Sequence, residues 1–553
     1  MPVRDISQAS FFDPQFVDPT CIEPGSLTWL IRNYAWLLFP EWLFADWCGH
    51  GQRGRDAWPA RVLMSTLLLR FLEGGMSRRA MARRLKTDIA WRAAAGLPIG
   101  GGSPDESIFR RFEKYLRRRD RASGQPRFLL LHEHILRVCI DAHLIDDRAI
   151  WVMDSTPMWC FGAVQGTVRL LGDGLRSLCG EWARLTKTSV VELATEWELP
   201  LLLAKSTKGG IKIDWRDPDA RATAVDSVAR DVLAVIGKVR RGLDDVRANK
   251  RKGLLRRCRA LAKVIADDLE VDDEGRLFVA RKTTSGRLVS ITDLQARHGR
   301  KTRSVKFKGY RLHVLGDIVS GLIASISVTP ATVGDSAPAG RLIRRAQRVV
   351  TQLRQVLGDT AYGGAELHLV TRKVDGVDIL APPVPVSRRP TDRFNSTHFD
   401  IDVPGGEARC PGGVIVELRQ TPKTRRFSWS KATCDACPLR AQCLTEKASS
   451  KTLLANKNHE ELLIIRERWS DAEIRTHYRL RTQGERLVNQ VVRYGGRKAM
   501  AWGLSTAVLQ ANLIAIRSNL GILARHLADN LELQENIAKE GGPAPPDPVR
   551  LVA

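Results

Sequence analysis

Apolar positions along the chain follow two different periods. In residues 58–71 and 128–145 they recur every three or four positions, as on the buried face of an amphipathic helix. In residues 149–155 they form a short run, because four of the five residues before Asp154 are large and apolar. Such a run is typical of a buried strand. The pattern therefore predicts a helical N-terminal part and then a first strand that ends at Asp154.

A strand period returns in the middle of the chain. Residues 308–315 and 322–328 flank a glycine-bounded turn and predict a β-hairpin. We assign Asp317 to the chemistry of that turn, because Asp side chains readily bond nearby backbone N–H groups. Asp335 precedes a helical stretch, and we assign it to a helix N-cap.

The remaining elements complete an α/β pattern. Residues 353–357 predict a strand with Asp359 at its end, 365–370 a helix, 377–380 a short strand, and 471–527 a long helical stretch. The order of strand, hairpin, strand, helix, strand and long helix predicts a mixed sheet with flanking helices.

Composition and pattern divide the chain into seven segments. The last of them ends in a proline-rich stretch and is predicted to be disordered. The segments are a helical DNA-binding N-terminal domain (1–145), the first part of the core (146–165), a mainly helical insertion (166–300), the second part of the core (301–381), a Cys-rich, zinc-ribbon-like insertion (382–450), a C-terminal helical part of the core (451–530) and the tail (531–553).

The charge balance favours a polyanionic partner. The chain has 87 Lys and Arg against 61 Asp and Glu, a formal charge of +26, and such an excess favours nucleic acid through counterion release. The sequence has no long unbroken apolar run and no N-terminal signal pattern, so we expect a cytoplasmic protein with no membrane segment. Ten cysteines in so long a cytoplasmic chain do not suggest disulfides.

Arginine pairs on the N-terminal helices are candidate DNA contacts. Short helices separated by a Gly turn carry Arg78-Arg79 and Arg110-Arg111, which suggests a helical DNA-binding module. An ordinary helical bundle with solvated arginines explains the same pattern. The basic stretch 240–257 of the insertion has the same two interpretations, a DNA contact or a solvated helical hairpin. For the N-terminal helices the net charge favours DNA, and for the stretch 240–257 both interpretations stay open.

Three acidic residues are the candidate catalytic groups: Asp154, Asp359 and Glu485. Cutting a phosphodiester needs an ionised water and neutralisation of charge on phosphorus, and two Mg²⁺ or Mn²⁺ ions held by carboxylates supply both. Asp154 would bridge the metals, Asp359 would add a ligand from a neighbouring strand, and Glu485 would close the site from a helix. Tyr478, Arg481 and Glu485 are spaced to share one helix face. Arg481 would then reach a phosphate and Tyr478 a sugar or base.

The motifs around these residues resemble those of a known family. The three blocks of DDE transposases from bacterial insertion sequences resemble stretches of this chain: Asp154-Ser-Thr, Gly358-Asp-Thr-Ala-Tyr362 and Tyr478-x-x-Arg481-x-x-x-Glu485. The resemblance extends over residues 55–520. It implies a ribonuclease H-like core with an Asp-Asp-Glu metal site.

The resemblance also implies what the protein does. A metal-activated water would cleave double-stranded DNA at the terminal inverted repeats of the element, and the freed 3′-hydroxyls would attack target DNA. Members of the family work as dimers or higher assemblies, so we expect self-association on DNA. The implied location is the bacterial cytoplasm, in association with the nucleoid.

One position departs from the family pattern. The family usually carries a Lys seven residues after the Glu, where this chain has Val492. Arg493 is adjacent, but it lies about 80° round the helix from Glu485. Arg493 and Lys498 are therefore both candidates for the missing cation.

Four cysteines lie close together in the Cys-rich insertion. Cys434 and Cys437 form a Cys-x-x-Cys pair, and Cys410 and Cys443 flank it. Four thiolates suit tetrahedral Zn²⁺, which would be structural because no coordination position stays open. A similar cluster occurs in one subgroup of the family that the chain resembles. The alternative is four reduced cysteines in a loop that binds nothing.

Two other functions fit the same residues. A metal-dependent nuclease that cuts DNA without joining it would use the same carboxylates. A non-catalytic DNA-binding descendant of a transposase would be expected to lose carboxylates, and Val492 is the one feature in its favour. His313 and His368 lie in strand and helix patterns without a partner motif, and they are assigned no role.

Overall fold

The structure is a computed structural model that describes residues 22–47, 56–98, 100–281, 284, 286–302, 304–385, 393–421 and 425–539. The α-helices of these residues are α1 (Leu27–Leu38), α2 (Ala60–Leu69), α3 (Arg78–Thr87), α4 (Ile89–Ala94), α5 (Glu106–Leu116), α6 (Arg127–Asp141), α7 (Thr167–Thr186), α8 (Val190–Glu196), α9 (Thr207–Gly210), α10 (Pro218–Arg241), α11 (Ala248–Asp268), α12 (Ala339–Gln347), α13 (Ala365–Val370), α14 (Lys431–Asp435), α15 (Arg440–Cys443), α16 (His459–Ser470), α17 (Ala472–Tyr478), α18 (Glu485–Val491), α19 (Leu504–Ala528) and α20 (Leu531–Lys539). The strands are β1 (Trp151–Trp159), β2 (Leu269–Val271), β3 (Leu277–Val279), β4 (Arg297–Arg300), β5 (Lys306–Asp317), β6 (Ile323–Pro330), β7 (Gln355–Leu357), β8 (Asp378–Leu380), β9 (Asp400–Asp402), β10 (Glu407–Arg409), β11 (Ile415–Glu417), β12 (Arg419–Gln420), β13 (Arg425–Ser428) and β14 (Thr452–Leu454).

Helices α1 to α6 form the N-terminal part, which confirms that this region is helical. Ser77 caps α3 by accepting a backbone N–H of its first turn at 3.1 Å, and Asp105 caps α5 in the same way at 2.7 Å. Phe109, Phe112 and Leu116 of α5 are fully buried. Their spacing of three and four residues places them on one face, which packs into the core.

The central sheet has the strand order β4-β5-β1-β7-β8, and β6 also pairs with β5. Strands β4 and β6 follow each other along one edge of β5, because β4 pairs with residues 306–309 and β6 with 310–316. Strand β1 is antiparallel to β5 and parallel to β7, and β7 is parallel to β8. Strands β1, β6 and β7 therefore run in the same direction, and their C-terminal ends lie at one end of the sheet.

Three separate hydrophobic cores hold the described residues together. The largest joins the N-terminal helices, the central sheet, α12, α18 and α19. The second lies within the insertion of α7 to α11, and the third surrounds Phe427 and Trp429 in the Cys-rich segment. The predicted insertion between β1 and β5 is thus a helical unit with a core of its own.

Helix α19 is the central helix of the largest core. It packs against β6 and α6, and the Asn519 side chain bonds both the N–H and the C=O of Ile323 at 2.9 and 3.0 Å. Among the described residues it is the one helix long and apolar enough to cross a membrane, and 89% of its most apolar window is buried inside the protein. The fold itself therefore covers this apolar surface.

The long helical stretch predicted for residues 471–527 is interrupted twice. A 3₁₀ segment, Arg479–Gly484, separates α17 from α18, and a break at Val492–Gly496 separates α18 from α19. In the break, Tyr494 leaves the helical region and Gly495 has a φ of +98°. Glycine adopts this backbone conformation without steric cost, so the chain turns back there towards β1.

The tail predicted to be disordered from residue 531 begins as a helix. Leu533 and Ile537 of α20 are one turn apart and pack against the largest core. Their apolar contact outweighs the polar composition of this short stretch. The proline-rich part of the tail lies outside the described residues.

A buried ion-pair cluster in the N-terminal part yields the first prediction. Glu113, 3% exposed, accepts from Arg70 at 3.0 Å and from two nitrogens of Arg78 at 2.9 and 2.5 Å. The variant Glu113→Ala leaves a buried guanidinium without its counter-charge and is expected to lower the free energy of unfolding by about 3–5 kcal/mol. Urea unfolding measures this loss.

The matched control for that variant is Glu106→Ala. Glu106 also pairs with two arginines, but its side chain is 36% exposed and its partners are largely exposed, so its loss is expected to cost less than about 1 kcal/mol. Equal losses for the two variants would contradict a structural role of the buried cluster.

Candidate active site

One edge of β1 is open beyond its first residues. Strand β7 pairs with β1 only at Val152, whereas β5 pairs with it along its whole length. The open edge closes again at Trp159, whose N–H donates to the carbonyl of Arg497 at 2.9 Å. The segment between these two points is where the candidate catalytic residue Asp154 lies.

Asp154 lies in the middle of β1, not at its end as predicted. Backbone nitrogens alternate in direction along a strand, and those of Ser155, Pro157 and Trp159 face the open edge. Proline has no N–H to leave unpaired there, and the N–H of Ser155 donates to the Asp154 carboxylate at 2.7 Å. The strand therefore continues past Asp154 although it has a partner on one side only.

Asp359 lies two residues beyond the end of β7, as predicted. Its carboxylate caps the short 3₁₀ turn Thr360–Tyr362 by accepting the N–H of Ala361 at 2.9 Å. The side chain remains 42% exposed, so one oxygen can face a ligand. Because β1 and β7 are parallel neighbours, Asp359 lies close to Asp154, and one Arg481 nitrogen is within 4.0 Å of both carboxylates.

Glu485 begins α18 and is exposed at the same end of the sheet. Gly484 precedes it and packs against Val152 so closely that a Cβ at this position would lie 2.4 Å from the Val152 Cγ1. The absence of a side chain at Gly484 therefore lets the Glu485 segment approach β1.

Arg481 joins two of the three carboxylates. One guanidinium nitrogen lies 3.2 Å from Asp154 Oδ2 and 4.0 Å from Asp359 Oδ2. Burial raises the pKa of Asp154 above its ordinary value, and the positive charge of Arg481 opposes that rise. The prediction that Tyr478, Arg481 and Glu485 share a face of one helix is corrected by the 3₁₀ segment between α17 and α18.

All three predicted carboxylates line one cavity of about 400 Å³. Tyr478 is not among its lining residues and packs edge-on against Trp469, with ring centroids 4.8 Å apart. Four acidic and five basic residues line the cavity together: Asp154, Asp335, Asp359, Glu485, Arg300, Lys301, Arg311, Arg481 and Arg497. The site thus combines a carboxylate cluster with a cationic wall.

Of the basic residues that follow Glu485, Arg497 lines the cavity, and the two candidates named from the sequence do not. Arg493 lies against the ring of Tyr494 at 5.9 Å, and neither it nor Lys498 lines the cavity. Arg497 lies just after the helix break and donates to Thr156 Oγ1 at 3.1 Å. Sequence spacing along one continuous helix could not identify it.

Asp335 is the acidic residue that the sequence analysis assigned wrongly. Helix α12 begins at Ala339 with Pro338 at its N-cap, so Asp335 is not a cap. It lies in the cavity instead, a few residues beyond the end of β6. Strand β6 runs parallel to β1 and β7. Asp335 therefore follows the end of a parallel strand at the same end of the sheet as Asp359.

His313 lies beside this residue. It is fully buried on β5 opposite Ser155, and its Nδ1 is 4.0 Å from Asp335 Oδ1 while its Nε2 bonds Thr329 Oγ1 at 2.9 Å. Burial lowers the pKa of His313 to about 4, so it is neutral at pH 7. Its two side-chain neighbours, Thr329 and Asp335, lie 16 and 22 residues further along the chain, so no local motif marks this histidine.

The four N-terminal arginines have different surroundings. Arg78 is held by Glu113, and its charge is balanced inside the domain. Arg79 and Arg110 are largely exposed, 3.2 and 3.8 Å from Glu106. Arg111 is exposed as well. Three of the four candidate DNA contacts therefore face solvent.

The four predicted zinc ligands line a second cavity of about 290 Å³. A Cβ at Gly412 would lie 3.0 Å from Cys437 Sγ and 3.7 Å from Cys410 Sγ. Burial raises the pKa of the Cys443 thiol, and the other three cysteines add to that rise. Among the described residues, however, no group of three or more His, Cys, Asp or Glu is arranged to hold a metal ion. This applies to the thiols and to the carboxylates.

Two family models match the chain. A transposase DDE domain matches residues 409–524, which include Glu485, and a transposase domain designated DUF772 matches residues 36–115. Asp154 and Asp359 lie outside both matches. No curated protein and no solved structure matches the chain.

The fold and these matches first define a class. The chain is a mixed α/β protein in which a transposase domain model matches the N-terminal helices and another matches the C-terminal part. Within that class, the two matches confirm the resemblance found in the sequence, to DDE transposases of the insertion-sequence type.

The close approach of Gly484 to β1 yields the second prediction. The variant Gly484→Ala places a methyl group against the stiff, buried side chain of Val152 and is expected to cost about 1–3 kcal/mol of unfolding free energy. The double variant with Val152→Ala makes room for that methyl group, so Gly484→Ala should cost clearly less in this background. Urea unfolding of the four proteins in this cycle measures the difference.

A matched control is Gly180→Ala in helix α7. A Cβ at Gly180 has no heavy atom within 4 Å, so this variant is expected to be neutral or to stabilise by up to about 1 kcal/mol. An additive cycle at Gly484 and Val152 would contradict the proposed steric contact.

Proposed function

We propose that the protein is a transposase that cleaves DNA ends and transfers strands in a metal-dependent reaction, with Asp154, Asp359 and Glu485 as its catalytic carboxylates. The observation that carries the proposal is their convergence. They come from strand β1, the end of β7 and the start of α18, and they line a single cavity at the open edge of β1. The transposase domains matched at both parts of the chain support the same conclusion.

The donor set fits a hard divalent cation. Carboxylate oxygens are the ligands that Mg²⁺ and Mn²⁺ prefer, and Asp154, Asp359 and Glu485 would hold two such ions. When bound, the ions supply an ionised water and neutralise charge on the phosphate. In the structure, Arg481 balances part of the charge of Asp154 and Asp359. We infer that its guanidinium moves towards the substrate phosphate once cations take over that role.

The basic residues of the cavity suit a DNA backbone. Arg300, Lys301, Arg311 and Arg497 surround the carboxylates, and the net charge of +26 extends the attraction over the whole chain. The open edge of β1 leaves the carboxylates accessible from outside the sheet. We propose that the substrate is double-stranded DNA at terminal inverted repeats and target, bound by a dimer or higher assembly in the cytoplasm.

The sheet supports the ribonuclease H-like core that the family resemblance implies. Three antiparallel strands, β6, β5 and β1, continue into two parallel ones, β7 and β8. Two of the proposed catalytic carboxylates come from its adjacent parallel strands. We propose that α18 completes this core by adding the third.

A nuclease without strand transfer is the second candidate, because hydrolysis and transfer use the same carboxylates. Strand-transfer assays with pre-cut ends distinguish the two. A non-catalytic descendant is disfavoured by the retained carboxylates. The departure at Val492 no longer supports it, since Arg497 supplies a cation on the cavity wall.

The third prediction tests the carboxylates. DNA carrying the inverted repeats that flank the gene is incubated with the full chain and Mg²⁺ or Mn²⁺. Cleavage at the repeat ends is expected, and Asp154→Asn, Asp359→Asn and Glu485→Gln should each lower its rate by at least about 100-fold. Each substitution keeps the side-chain shape and removes the charge that would hold the metal.

The control for this assay is Asp375→Asn. Asp375 is a buried carboxylate paired with Arg344 at 3.2 Å and does not line the cavity, so its variant should cleave like the wild type. DNA affinity, measured separately by fluorescence anisotropy, should stay within about twofold for all variants. A wild type that binds the repeats without cutting them under any of these metals would refute the proposal.

We further propose that Cys410, Cys434, Cys437 and Cys443 hold a structural Zn²⁺. The four thiols line one cavity, above a small core that includes Phe427 and would be small for a stable unit on its own. A closed four-thiolate site has no open position for substrate. Zinc would therefore stabilise the folded Cys-rich segment and take no part in DNA cleavage.

The fourth prediction concerns zinc content. Protein purified without chelator is expected to contain one zinc per chain by elemental analysis, and the variant Cys434→Ser/Cys437→Ser should contain almost none. The control variant Cys179→Ala/Cys258→Ala changes two buried cysteines in the core of the insertion and should keep its zinc. Equal zinc content in both double variants would contradict the assignment.

A further inference from the structure

We propose that Asp335 is a positioning residue of the active site, which orients the metal-binding carboxylate of Asp154 and the cationic side chain of Arg311. The inference rests on the proposed function and adds a fourth carboxylate to it. Asp335 lies in the cavity without serving as a helix cap. Its two hydrogen-bonded partners, Ser155 and Arg311, determine its role.

Asp335 holds two other residues at once. Its Oδ1 accepts from the Ser155 hydroxyl at 2.6 Å, and its Oδ2 accepts from Arg311 Nη1 at 2.6 Å. The side chain is only 17% exposed. Charge-assisted hydrogen bonds of this length in a partly buried site are the stronger kind, so both partners have little freedom to move.

The first contact connects Asp335 to Asp154 through Ser155. Ser155 donates its hydroxyl to Asp335 and its backbone N–H to Asp154 Oδ1 at 2.7 Å. Both donors of this residue are therefore used, each by a different carboxylate. Ser155 fixes one oxygen of Asp154 and leaves Oδ2 directed towards Arg481, on the side where the metal would bind.

The second contact orients Arg311, one of the basic residues that line the cavity. Arg311 lies on β5 opposite Pro157, and its other terminal nitrogen donates to the carbonyl of Arg300 at 3.0 Å. Its side chain is 16% exposed. Asp335 thus orients a guanidinium on the cavity wall, and Arg311 balances the charge that a fourth carboxylate would otherwise place beside Asp154.

The two contacts predict an effect on metal binding. Residues that orient metal ligands typically change metal affinity or activity by about 10–100-fold when they are replaced. Asp335 has no hydrogen bond to Asp154 itself, and its hydrogen bonds reach Asp154 through Ser155, so it acts by positioning. Its loss should weaken metal binding and leave DNA binding by the rest of the protein surface intact.

The experiment uses the full chain and two independent measurements. Binding of Mn²⁺ alone is followed by electron paramagnetic resonance without DNA, and the Mn²⁺ dependence of cleavage is measured at saturating repeat DNA. For Asp335→Ala and Ser155→Ala, the Mn²⁺ concentration at half-saturation is expected to rise about 10–100-fold in both measurements. Ser155→Thr keeps the hydroxyl and should restore the wild-type value.

Coupling between the two residues tests the pathway. If Asp335 acts on Asp154 through Ser155, the double variant Ser155→Ala/Asp335→Ala should lose little more Mn²⁺ affinity than either single variant. Asp375→Asn, the matched buried carboxylate outside the cavity, should leave the Mn²⁺ dependence unchanged. A purely structural role of Asp335 would change the unfolding midpoint without changing these curves.

The outcomes separate this inference from the proposed function. A wild type that cleaves, together with an Asp335→Ala variant that is folded and has wild-type Mn²⁺ dependence, would overturn the inference alone. Fully additive losses in the double variant would also overturn it. A wild type that never cleaves would instead refute the proposed function, while the Mn²⁺ binding measurement would still decide the role of Asp335.

Discussion

The one-sided pairing of β1 is the constraint on which the site depends. A strand inside a sheet normally has hydrogen-bonding partners on both edges, but β1 has β5 on one edge and loses β7 after Val152. The unpaired stretch is kept extended by β5, by Pro157, which has no N–H to satisfy, and by the Arg497 segment at its far end. Asp154 is therefore held rigidly by β5 and is still open to ligands on the other edge.

The electrostatics of the cavity follow from this geometry. Asp154, Asp335 and Asp359 lie close enough to repel one another, and burial adds to the cost of the Asp154 charge. Arg481 offsets that cost for Asp154 and Asp359, and Arg311 offsets it for Asp335. Asp154, Asp335 and Asp359 thus each have a guanidinium within 4.0 Å that offsets their negative charge. Cation binding and arginine movement are thus coupled in the proposed reaction.

Much of the local structure, and the three carboxylates that line one cavity, could be predicted from the sequence. The run before Asp154, the hairpin, the strand before Asp359 and helix 365–370 depend on neighbouring residues, and periodicity reports such local preferences directly. Asp317 bonds the turn N–H groups of Val319 and Ser320, as its position in the turn predicted.

What the sequence could not supply depends on contacts between distant segments. Strand β1 continues past Asp154 because β5, more than a hundred residues later, pairs with it. Arg497 enters the cavity because the chain turns at Gly495, and Asp335 because β6 is parallel to β1. None of these pairings leaves a periodic signal, and an acidic residue before a helix has the same local pattern whether it caps that helix or faces a cavity.

The helical insertion between β1 and β5 has a consequence for the timing of folding. Strand β1 leaves the ribosome long before its partner β5, and the independent core of α7 to α11 can form in the interval and bring the two strands together. Glu485 follows Asp154 by roughly 330 residues, which corresponds to roughly twenty seconds to one minute of synthesis. Throughout that interval a nascent chain carries Asp154 without Glu485, so the three carboxylates of the cavity come together only after Glu485 has been synthesised.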